Sequence, residues 1–162
     1  MTKTLIIGYG NADRQDDGIA WYILTEIAKK LGRVIPSGPE EGLFPEGEEI
    51  DLWFELQLAP EMSEDFSHYE RICFVDAHTG NIPEEIRLKP VEGTPATSAF
   101  THHLTPAVCM ALTKTIYNQT PEAVLLSIRG YQFGFTRELS PQTAELISQA
   151  TQVLWDWLEV QP

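Results

Sequence analysis

Read from its N-terminus, the chain alternates short apolar runs with segments whose apolar residues recur at helical spacing. Residues 5–7 form an unbroken apolar run of the kind buried on both faces of a parallel sheet, and Ile19, Ile23, Ile27 and Leu31 then mark one face of a helix. Residues 51–56 read as a second strand, Pro60 with Glu61 and Glu64 as the first turn of a short helix ending near His68, and residues 71–76 as a third strand ending in an acid. Residues 85–90 alternate charged and apolar side chains, the pattern of a half-exposed edge strand. A helix over 105–117, a strand over 124–128 and a last helix opened by Ser140 and Pro141 and running to Leu158 complete the series. The order predicts an α/β three-layer sandwich: a twisted, mainly parallel sheet of about five strands flanked by helices, with strand 85–90 as its antiparallel edge.

Three stretches break the periodicity. Residues 32–50 carry Pro36, Gly38, Pro39, Gly42, Pro45 and Gly47 among glutamates, a composition that suits a long loop and a substrate entrance. Residues 97–103 form a polar loop, and residues 130–138 are aromatic and irregular. With 162 residues and no internal repeat, the chain is expected to form one domain over 1–162.

Charge removes whole classes of partner. Eleven Lys and Arg face 24 Asp and Glu, and a net charge of −13 repels nucleic acid and anionic lipid. Neither a leader pattern nor an apolar run of membrane-spanning length is present, and Cys73 and Cys109 sit in apolar surroundings without CxxC spacing. The expectation is a cytoplasmic protein with buried, reduced thiols.

The chemistry gathers where the first strand gives way to the first helix. Gly8 and Gly10 suggest a dinucleotide fingerprint, but Asp13 stands at its third glycine, and Asp16 and Asp17 crowd the place of a pyrophosphate. A cation or a protonated group suits this spot better than an anion. Asp16 reads as the helix N-cap, which leaves Asp17 for function. In a doubly wound sheet Asp17 converges with Asp76, and one of His102 and His103, before the helix at 105, can add an imidazole to the same crevice. His78 is a rival, two residues beyond Asp76. Two carboxylates and an imidazole can bind a divalent metal with open positions or run general acid–base chemistry. No GxSxG elbow, HExxH helix or Walker motif appears.

Four stretches taken together carry a family resemblance: Gly8-Tyr9-Gly10-Asn11 with Asp16-Asp17-Gly18; Ala59-Pro60-Glu61; Val75-Asp76-Ala77 leading to Glu85-Ile86-Arg87; and Thr101-His102-His103. In these the chain resembles the hydrogenase maturation endopeptidases, which remove a C-terminal extension from the large subunit of [NiFe] hydrogenases after nickel insertion. The resemblance implies Asp17, Asp76 and His102 as the metal contacts, with Asp17 and Asp76 also catalytic. It places Glu55 at the family's further acidic position, although Leu56, Gln57 and Leu58 replace the usual small residues there. It also implies that the nickel is supplied by the precursor and that no cofactor is permanently bound. The partner is then a [NiFe] hydrogenase large-subunit precursor. Two other classes remain open on sequence: a noncatalytic nickel carrier or chaperone using the same ligands, and a flavodoxin-like nucleotide binder.

Overall fold

The computed structural model describes residues 3–94 and 104–160. Five strands, β1 (Thr4–Tyr9), β2 (Ile50–Glu55), β3 (Arg71–His78), β4 (Ile86–Pro90) and β5 (Glu122–Arg129), form one sheet in the order β2-β1-β3-β5-β4. All neighbours are parallel except β4, which pairs antiparallel with β5. The expected sandwich and its antiparallel edge are therefore present. Among the described residues no helix is long and apolar enough to cross a membrane.

Period-two alternation sends each strand's side chains to two separate cores. Ile6, Cys73, Val75, Leu126 and Ile128 face helices α1 (Ile19–Lys30) and α5 (Ile147–Glu159). Leu5, Ile7, Trp53, Ile72 and Phe74 face α2 (Met62–Phe66) and α3 (Pro106–Tyr117). Both central strands are buried on each side, which explains their unbroken apolar runs. Phe66 sits edge-on to both Trp53 and Phe74, and this aromatic trio anchors the short α2. Cys73 and Cys109 are free and buried, as expected, and burial pushes the Cys109 thiol up to about 12.

Two elements differ from the sequence reading. The last helix is broken: α4 (Pro141–Ala144) ends after one turn, and α5 starts at Ile147. The single hydroxyl proton of Thr143 is shared between the Asp16 carboxylate and the Arg129 carbonyl, so the first turn is bolted to the sheet rim. The second segment follows its own apolar stripe of Ala150, Leu154 and Trp157 into the core. Strand β3 also runs two residues past Asp76, to His78, because β5 continues beside it as far as Arg129.

The long loop after α1 is pinned at several points. Leu43 accepts the Phe54 amide of β2, and the buried Asp51 carboxylate accepts the amides of Glu46 and Glu48 and the Tyr69 hydroxyl. Arg137 reaches the loop at Glu40 while also pairing with Asp13.

Candidate active site

Pairing between β1 and β3 ends at Gly8 and Val75, while β3 goes on with β5. Asp76 therefore lies one residue past the point where β1 departs, in the crevice between diverging chains where doubly wound sheets bind their ligands. Chain β1 leaves the sheet through a turn that folds back on itself. Gly10 has φ +145°, and a Cβ there would collide with the Asp17 carbonyl oxygen. Gly18 lies against the Ala12 backbone in the same way. These glycines serve close backbone approach in a turn that carries carboxylates, not the cradling of a phosphate.

Asp17 lies in the 3-10 turn Gln15–Gly18, and its carboxylate accepts the Asn11 amide at 2.8 Å. Asp76 responds to it directly. Burial first, and then the charge of Asp17, push the Asp76 carboxyl from 3.8 up to about 7, against the opposing pull of the Ala77 amide and the Tyr9 hydroxyl. Asp17 and Asp76 thus lie near enough for the charge of one to act on the other.

Tyr9 completes the pair and was not singled out in the sequence. It follows Leu5 and Ile7 on the α3 face, with its hydroxyl near Asp76 and near Cys109 of α3. Burial and the neighbouring Asp76 raise its own pKa well above the ordinary phenol value, so it is a permanent donor. The period-two pattern from Leu5 is the signal that identifies it.

Glu55 ends β2 opposite Tyr9 in the register, on the same face as Trp53, whose indole N–H donates to its carboxylate at 3.0 Å. Since β1 lies between β2 and β3, Tyr9 separates Glu55 from Asp76. Glu55 instead lines a cleft of about 300 Å³ with Gly10, Asp13, Phe44, Leu56 and Arg137. The departure from small residues at Leu56 and Gln57 needs no unusual backbone, since neither has a positive φ.

Asp16 is structural, but not as a helix cap. The 3-10 turn has no side-chain cap and α1 begins from Gly18. The wholly buried Asp16 carboxylate instead accepts the amides of Tyr131, Gln132 and Ser140, each at 2.8 Å, and the hydroxyls of Ser140 and Thr143 at 2.6 and 2.8 Å. Burial alone would raise its pKa, but the Ser140 hydroxyl and these amides outweigh burial and hold it below the ordinary value.

His78 is spent on its own loop. Its Nδ1 accepts the Gly80 amide at 3.1 Å, which leaves Nε2 to donate to the Glu84 carbonyl at 2.9 Å. His102 and His103 lie outside the described residues. Among the described residues no group of three His, Cys, Asp or Glu is arranged to hold a metal ion. Asp17 and Asp76 supply two oxygen donors, which suit a divalent ion that brings other ligands with it.

No family model and no curated protein matches the chain in sequence. Solved structures do match in fold, over nearly the whole length. The hydrogenase maturating endopeptidase HybD from E. coli superposes with a TM-score of 0.70 at 17% identity, covering 96% of this chain and 91% of that one. The [NiFe] hydrogenase maturation protease HycI from Thermococcus kodakarensis gives 0.65 at 19% identity, with coverage of 98% and 94%. A hydrogenase 2 maturation peptidase from a Thaumarchaeota archaeon gives 0.62 at 15% identity, with coverage of 98% and 99%. At these identities the comparison establishes a shared fold.

Proposed function

We propose that the protein is an endopeptidase that removes the C-terminal extension of a [NiFe] hydrogenase large-subunit precursor, recognising nickel already inserted in that precursor. Support comes from fold likeness along nearly the full chain to proteins named as hydrogenase maturation proteases. The observation that carries the reading is the placement of Asp17 and Asp76 at the switch point of that fold, close enough for the charge of Asp17 to raise the pKa of Asp76. The cytoplasm is the proposed compartment.

In this reading Asp17, Asp76 and His102 offer ligands to nickel held by the substrate. A precursor lacking the metal leaves two carboxylates facing each other in a half-desolvated crevice and gains little binding energy. Metal binding requires Asp76 to give up its proton, so recognition and protonation are coupled at this residue. Hydrolysis adds water across the peptide bond: the water oxygen attacks the carbonyl carbon, one carboxylate accepts its proton, and the leaving nitrogen takes a proton as the C–N bond breaks. The carboxylate that takes the proton from the water returns it to the leaving nitrogen, so the site ends in the protonation state in which it began. Tyr9 orients Asp76, and Glu55 contributes from the neighbouring cleft, where the scissile segment approaches.

The test compares nickel-loaded and nickel-free precursor incubated with the purified protein. Cleavage of the loaded form alone is expected. Equal cleavage of both removes the nickel-recognition step, and tight nickel binding without any cleavage favours a carrier or chaperone instead.

A further inference from the structure

The aromatic loop 130–138 and the turn bearing Asp17 are stitched together across more than a hundred residues of sequence. Gln15 adopts φ +53°, a left-handed conformation that residues other than glycine rarely hold without support. Its amide donates to the Thr136 carbonyl at 2.8 Å, and its side-chain oxygen accepts the Gly134 amide at 3.0 Å. The Asp16 amide donates to the Gln132 carbonyl at 3.1 Å, and the Asp16 carboxylate collects the five donors described above. The reversal at Gln15 turns Asp16 inward to that cage, and Asp17 follows with its carboxylate on the Asn11 amide.

We infer that Gln15 and Asp16 are positioning residues: the left-handed turn and the carboxylate cage hold Asp17 in register with loop 130–138. The loop presents Phe135 wholly to solvent and Tyr131 partly so, side chains available to a protein substrate. Contact with the precursor there and the placement of Asp17 are then set by one rigid joint. This inference rests on the reading of Asp17 as a peptidase residue, but the placement itself can be measured without substrate.

The experiment follows hydrogen exchange at the Asn11 amide, which is protected only while Asp17 stays in place, together with steady-state cleavage of nickel-loaded precursor. Q15G accepts a positive φ, so its Asn11 exchange and its kcat are expected to stay within about threefold of wild type. Q15V cannot hold that conformation without strain, and D16N removes the charge at the cage. Each is expected to speed Asn11 exchange about tenfold or more and to lower kcat by a similar factor with KM little changed. L154A, in the core beneath α5, serves as a control that lowers the melting temperature without singling out Asn11. Unchanged Asn11 exchange in Q15V and D16N, damage in Q15G equal to that in Q15V, or the same exchange pattern in L154A overturns the inference. Failure of the wild-type protein to cleave any precursor would remove the peptidase reading, while the exchange results would still decide the positioning role.

Discussion

Asp16 and Asp76 are carboxylates at the same rim of the sheet, and the protein treats them in opposite ways. Asp16 is more deeply buried yet lies below the ordinary aspartate pKa, because three amides and two hydroxyls surround it. Asp76 is pushed up to about 7 by burial first and then by the charge of Asp17, with only the Ala77 amide and the Tyr9 hydroxyl to oppose them. Burial alone does not mark a functional acid; the supply of donors does. A saturated carboxylate holds structure, and an undersupplied one retains free energy that a ligand or a proton can release.

Replacing each acid tests this contrast most strongly. Asp16→Ala strands four donors, the amides of Tyr131, Gln132 and Ser140 and the Ser140 hydroxyl, while Thr143 keeps the Arg129 carbonyl, and it is expected to cost roughly 3 kcal/mol in chemical denaturation. Asp76→Asn has the opposite sign: it removes the cost of an ionised carboxylate in the crevice and should raise stability at pH 8 by roughly 2 kcal/mol. It should also lower precursor cleavage by about a hundredfold or more. An Asp76→Asn protein less stable than wild type at pH 8 would show that the carboxylate is structural after all.

Acidity sharpens the same comparison. The folded pKa of Asp76 is raised, so its folded form binds more protons than the unfolded chain between 3.8 and about 7. Its contribution is therefore fully present at the acid end of that window and is lost as pH rises through about 7. The stability gap between Asp76→Asn and wild type should widen over that range and flatten above it. Asp16, with its lowered pKa, contributes stability above the ordinary aspartate value that is lost as pH falls through its folded value, so the Asp16→Ala deficit should shrink in strong acid. The smallest effect is expected at Arg137→Ala. Its ion pairs with Asp13 and Glu40 are solvent-exposed, so the melting temperature should barely move, while KM for precursor responds through the cleft these residues line.

Much of this was legible in the sequence. Apolar runs and helical spacing placed every strand and gave the layer order and the antiparallel edge, because burial on two faces leaves a plain signature. The winding rule brings Asp76 to the rim beside the turn of Asp16 and Asp17, and setting Asp16 aside as structural left Asp17 as its neighbour. What escaped was set by distant partners. Asp16 was recognised as structural, but its donors lie at 131–143 and no local pattern connects them to position 16. The break before Ile147 has the same origin, since Thr143 is held by Asp16 and Arg129 rather than by its own helix. Tyr9 was hidden by appearing as one letter of a glycine motif, although its parity with Leu5 and Ile7 pointed to the crevice.

Gly10 shows how narrow the tolerance of this rim is. Adding a single methyl group there would collide with the Asp17 backbone carbonyl and drive the turn off its path, and the aim of a carboxylate seven positions later would be lost with it. The smallest mutational step available to a glycine, to alanine, would thus disable the crevice from outside it, and the resulting protein would keep its sheet, its cores and its charge.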